Sequence, residues 1–133
     1  MQQINGFSMI ELLIVVTIIG LLASIGLPAY NKQIEAIKRT DGKASLLGVQ
    51  SNMERYLFDN DAYPENLAMM KAYQTNAITS KEGYYEINLV EASSSCPASV
   101  CYILRAVPKV GPDALTPENE LFLSSNGTRS GTW

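Results

Sequence analysis

From Leu12 to Leu27 the chain runs for sixteen residues without a charge, and only Thr17 and Ser24 carry side-chain polar groups. Taken back to Phe7, the segment is twenty-one residues with one ionisable side chain, Glu11. At about 1.5 Å per residue it makes a rod about 30 Å long, the thickness of a bilayer's hydrocarbon core. A helix that is apolar all round belongs in lipid or in a helix bundle. A carboxylate in such a segment costs about 3 kcal/mol at bilayer centre, so an acid retained there points to function.

The residues around that acid are distinctive. Gly6-Phe7-Ser8-Met9-Ile10-Glu11-Leu12-Leu13, followed by an apolar helix with Pro28 and Tyr30 beyond it, resembles the class III signal of type IV pilins and their pseudopilin relatives. The resemblance covers about the first third of the chain. It implies a leader, residues 1–6, removed by prepilin peptidase between Gly6 and Phe7, with N-methylation of Phe7. It places Glu11 in the first helical turn, where the helix dipole favours negative charge. On assembly Glu11 would meet the Phe7 amine of a neighbouring subunit, because a buried charge needs a partner. The implied partners are other pilin subunits, prepilin peptidase, the inner-membrane pilus assembly machinery, and membrane lipid before assembly. The implied location is the bacterial inner membrane, single pass with a periplasmic head, then the pulled-out pilus. The competing reading is an ordinary anchor with an acid near the head groups.

Charge alone argues for the opposite orientation. The leader Met1–Gly6 has no Lys or Arg, whereas Lys32, Lys38 and Arg39 follow the span, and positive charge usually stays in the cytoplasm. The resemblance sets the head outside. A secretory signal cut near Ala23 is a poorer fit, since there is no basic n-region. Cys96 and Cys101 are not spaced as CxxC, so neither a redox motif nor half a zinc ribbon is indicated. In a head outside the cytoplasm they would form a disulfide; in a cytosolic one they would be free thiols.

Beyond the span, the expectation is an α+β fold: a long N-terminal helix, its first half transmembrane, packed on a small antiparallel sheet of three or four strands. One helix is read from Ser8 to about Phe58. Pro28, with Gly20 and Gly26 nearby, predicts a kink and local weakening at residues 20–28. The segments are 7–28 for the transmembrane and assembly helix, 29–58 for its amphipathic continuation, 59–82 for a connection, and 83–133 for a sheet head with a Cys96–Cys101 hairpin. The core stripe of the second half-helix reads Tyr30, Ile34, Ile37 and Ala44, then Leu46, Val49, Met53 and Tyr56, with Lys32, Glu35, Lys38, Arg39 and Asp41 mostly off it. Strands are expected at 83–91, 101–107 and 120–125, with Tyr85, Ile87 and Leu89, then Tyr102, Leu104 and Ala106, then Leu121 and Leu123 facing in. Asn126-Gly127 is a two-residue turn signal, followed by a short return strand towards Trp133.

No catalytic residue, metal ligand or cofactor site is indicated. There is no histidine, which removes Ser-His and Cys-His dyads and the usual zinc motifs. Asp59 and Asp61 lack the rest of a calcium loop and suit a turn. The net charge of −3 is too mild to predict a nucleic-acid partner, and Lys and Arg are scattered along the chain. The reading is therefore a structural subunit, not an enzyme: a minor pilin of a type IV pilus. The alternatives are a pseudopilin of a type II secretion system and a DNA-uptake pilin, whose head would bind DNA in a salt-sensitive way.

Overall fold

A computed structural model describes residues 7–91, 93–97, 99–109 and 119–133. The chain divides into two compact units, Met1–Glu35 and Ala36–Trp133. Helix α1, Met9–Asn60, contributes to both.

In the first unit α1 presents Ile, Leu and Val on every side, and from Phe7 to Gln33 each residue is exposed. This helix is long and apolar enough to cross a membrane. The two hydroxyls inside the apolar run are already satisfied: Thr17 donates to the Leu13 carbonyl and Ser24 to the Leu21 carbonyl, each at 2.7 Å. Neither carries an unmet hydrogen bond into an apolar surrounding, where it would cost several kcal/mol. The helix assignment continues through Pro28.

The second unit is a five-stranded antiparallel meander in the order β1-β2-β3-β4-β5, packed on α1. The strands are β1 Ala77–Thr79, β2 Tyr85–Leu89, β3 Ile103–Pro108, β4 Leu121–Ser124 and β5 Arg129–Gly131. The register sets Ile87 against Ala106, Leu104 against Leu123, and Ala106 against Leu121. These period-two residues are all buried, and with Leu46, Val49 and Met53 of α1, Leu67, Met70, Tyr85 and Tyr102 they form one core. Three strands and the return strand lie where the alternation predicts them. The fifth, β1, sits in the stretch expected to be only a connection. It has three residues and almost no buried surface, so it carries no alternation; it forms because β2 offers an unpaired edge.

Part of the expected core stripe of α1 is corrected. Leu46, Val49 and Met53 face the sheet, but Tyr30, Ile37 and Ala44 are exposed, while Lys38 and Asp41 are buried. The reason is the partner surface. Over residues 38–42 the helix meets not an apolar strand face but the polar β1–β2 turn, which needs acceptors rather than methyl groups.

Polar clamps hold the sheet ends to α1. Glu54 accepts from Tyr102 Oη at 2.9 Å and from Tyr63 Oη at 3.2 Å, and the two rings meet edge to face at 4.7 Å. Asn52 donates to Tyr73 Oη at 2.7 Å. Cys96 and Cys101 are joined by a disulfide across the β2–β3 connection, with Cα atoms 5.2 Å apart. α1 ends where Asp61 takes φ 57°, the left-handed conformation that closes many helices.

Candidate functional site

The first candidate region is the tip of α1. Ser8-Met9-Ile10-Glu11 follows the capping-box spacing, and the Ser8 amide donates to Glu11 Oε2 at 3.2 Å. The acid thus satisfies one orphan donor of its own helix. That spacing was legible in the sequence but was read only as an assembly signal. Gly6, half of the expected cleavage site, lies outside the described residues; Phe7 is 79% exposed.

The second region is one end of the head. The meander brings the start of β2, the end of β3, the start of β4 and the end of β5 to the same end of the sheet. The β1–β2 turn and Lys109 lie at one edge of this end, against Lys38 and Asp41 of α1, and Trp133 lies at the other, near Lys43. Lys38 Nζ sits 5.2 Å from the Tyr84 ring centre. Lys109 Nζ donates to Thr79 Oγ1 at 3.0 Å, and its amide to the Tyr84 carbonyl. Trp133 lies near two cations, Arg129 Cζ at 4.9 Å and Lys43 Nζ at 6.0 Å, and its indole N–H donates to the Phe122 carbonyl at 2.9 Å. Lys81, Lys109 and Arg129 are exposed and Lys43 is half-buried.

Glu54, Asp59, Asp61, Glu65 and Glu91 lie towards the opposite end, with Arg55 and Lys71 beside Asp59, while Asp41 and Glu82 stand among the cations of the first end. The folded head sets these cations in two groups at opposite edges of the sheet: Lys109 with Thr79 and the β1–β2 turn that carries Lys81, and Lys43 with Arg129 at Trp133. Arg105 belongs to neither group: the charge is matched by Glu120 at 2.5 Å. A surface of cations beside aromatic faces can hold a phosphate backbone by charge and a ring by stacking.

The buried tyrosines belong to the scaffold rather than to the patch. Burial pushes Tyr85 up to about 12, Asp41 adding to the shift and Arg39 opposing it; the hydroxyl donates to the Asn119 carbonyl at 3.1 Å. Burial and the hydrogen bond to Glu54 likewise raise Tyr102. Among the described residues no group of three or more His, Cys, Asp or Glu side chains is placed to hold a metal ion.

Residues 28–116 match the family described as type IV minor pilin ComP, DNA uptake sequence receptor, and residues 1–27 match the prokaryotic N-terminal methylation motif. The type IV major fimbrial protein FimA of Dichelobacter nodosus is 30% identical over 106 residues, 74% of this chain and 66% of that protein. The type IV major pilin PilE1 of Neisseria gonorrhoeae is 34% identical over 62 residues, 47% of this chain and 38% of that protein. The type II secretion system core protein G of Pseudomonas aeruginosa is 31% identical over 71 residues, 53% of this chain. The chain spans about half the length of the secretion-system proteins it matches, 50% in that case. The methylation motif marks the prepilin type of membrane-anchored helix, and pilins are structural proteins rather than enzymes. A family match across more than half of the chain, continuous with that motif and laid on a helix-and-meander head, makes this protein a member of the type IV minor pilin ComP family.

Proposed function

We propose that this protein is a type IV minor pilin whose head binds DNA during uptake. The observation that carries the reading is the placement of Lys43 and Arg129 by the Trp133 ring, in a chain whose residues 28–116 match a family described as a DNA uptake sequence receptor. This moves the DNA-uptake reading ahead of a generic pilus subunit and of a secretion pseudopilin. Its test is fluorescence anisotropy of labelled duplex DNA with the full chain in detergent, across a salt series. Four cations, Lys43, Lys81, Lys109 and Arg129, correspond to a slope of log K against log salt of about −3 to −4. Replacing Lys43 and Arg129 by Ala should flatten the slope by about 2 and weaken binding. Binding that ignores salt and these two residues would sink the reading.

The route into the filament is proposed as follows. Prepilin peptidase removes residues 1–6 between Gly6 and Phe7, and Phe7 is N-methylated. Residues 7–28 anchor the chain in the inner membrane and later pack with other subunits, with the bend at Pro28 adjusting the fit. Residues 29–58 carry the head, 59–82 connect, and 83–133 form the sheet, in the periplasm before assembly. During packing Glu11 exchanges the Ser8 amide for the Phe7 amine of a neighbour. The exchange is favourable because a full positive charge replaces a neutral donor where water is excluded. Glu11→Ala should leave cleavage intact, checked by mass spectrometry of the mature N-terminus, while recovery in sheared pili falls at least tenfold.

A further inference from the structure

We propose that Asp41 is a positioning residue for DNA capture: from inside α1 its carboxylate fixes the β1–β2 turn, and so places Lys81 and Tyr84 on the DNA-facing surface. The inference rests on the DNA-binding reading above.

Asp41 is 8% exposed, and its carboxylate gathers three donors from residues about forty positions away. Oδ2 accepts from Ser80 Oγ at 2.5 Å and from the Tyr84 amide at 3.4 Å; Oδ1 accepts from the Glu82 amide at 3.1 Å. Ser80 Oγ in turn accepts from the Tyr85 amide at 2.9 Å. The turn closes on itself through Ser80 N to the Tyr85 carbonyl and Gly83 N to the Ser80 carbonyl, with Gly83 at φ 85°. Lys38, one turn earlier on α1, lies over the Tyr84 ring. Gly42, the next residue, is the point of closest approach, where a Cβ would stand 2.8 Å from the Tyr85 ring.

A charge in this position is a poor choice for stability alone. Desolvating a carboxylate costs several kcal/mol, and a well-packed apolar residue often does as well or better. What the carboxylate supplies is direction: three donors converging on two oxygens allow one placement of the turn. Lys81, Glu82 and Tyr84 themselves are exposed, so apolar packing does not hold them. The same turn carries a cation, Lys81, beside an anion, Glu82, and an aromatic ring, Tyr84, and freeing it would disperse the cation and the ring.

The test is a double-mutant cycle on DNA affinity, using the full chain in detergent. Asp41→Ala should weaken binding about five- to tenfold. If Asp41 acts through the turn, Lys81→Ala with Tyr84→Ala should cost much less in the Asp41→Ala background than in the wild type. Amide exchange at Glu82 and Tyr84 should speed up at least tenfold, while the core amides of Leu104 and Leu123 stay protected. Ser80→Ala removes one donor and leaves the carboxylate two amides, so it folds more readily and should show the same non-additivity at smaller size. Additive losses, or full affinity in Asp41→Ala, overturn the positioning role and leave the DNA reading standing. A wild-type chain that fails to bind DNA overturns both.

Discussion

Two glycines of α1 separate propensity from packing. Gly42 and Gly48 both lower helix stability relative to Ala, by about 1 kcal/mol each. Gly48 has open space where a Cβ would go, whereas at Gly42 that atom would press on the Tyr85 ring. Gly48→Ala should therefore stabilise the head by about 0.5–1 kcal/mol. Gly42→Ala should destabilise it, since overpacking costs about 1–3 kcal/mol and outweighs the propensity gain. Urea unfolding of the two variants decides it, and equal effects would mean the helix and Tyr85 are not in contact. Glu11 teaches a related lesson: the residue expected to wait for a neighbour already caps its own helix, so its assembly role is an exchange of partners rather than the rescue of a bare charge.

At the level of elements, α1 grips the head through side chains chosen position by position. Leu46, Val49 and Met53 supply the apolar contact; Asp41 and Glu54 hold opposite ends of the sheet by hydrogen bonds. The buried phenols of the core, Tyr85 and Tyr102, give a pH dependence with a definite sign. Unfolded tyrosines lose their protons near pH 10, whereas Tyr85 holds its proton to about 12 and Tyr102 is raised as well. Above pH 10 the unfolded chain binds fewer protons than the folded one, so stability falls as pH rises. The contribution is whole below pH 10 and is lost as pH climbs from 10 towards 12, at about 1.4 kcal/mol per pH unit for each tyrosine. Urea midpoints at pH 9, 10 and 11 measure it, and Tyr102→Phe should remove its share of the slope. The β2–β3 connection is braced separately. Its disulfide closes a short loop, so changing Cys96 and Cys101 together to Ser should cost about 2 kcal/mol. The Tyr63 amide to Ser99 carbonyl bond, 3.3 Å in the oxidised protein, should then exchange faster; an unchanged unfolding midpoint would show that the hydrogen bonds suffice.

The molecule as a whole divides its labour along the chain. One unit holds an apolar helical run whose two hydroxyls, Thr17 and Ser24, are already satisfied, fit for lipid or for a bundle of like helices. The other is a head in which the antiparallel register and α1 bring distant charges together, as Lys43 and Arg129 at Trp133, although the complete chain carries only −3. Net charge is a sum and says nothing of arrangement, which is why composition alone predicts no nucleic-acid partner. Much was legible in advance: the span, the acid, the helix, the inward faces of three strands, the Asn126-Gly127 turn and the cysteine pair all rest on local spacing. The β1 strand, the buried Asp41 and the meeting of Lys43 and Arg129 at Trp133 left no such mark. β1 is too short for a pattern; Asp41 looked like a solvent-facing acid; the two cations stand 86 positions apart in the chain. The sequence by itself determined what the chain can be, because periodicity, hydropathy and the Gly6–Glu11 motif act between near neighbours. Only the tertiary structure decided where its charges meet, because that depends on which residues the antiparallel register and the α1 contact bring together, and no window along the chain contains both halves of such a contact.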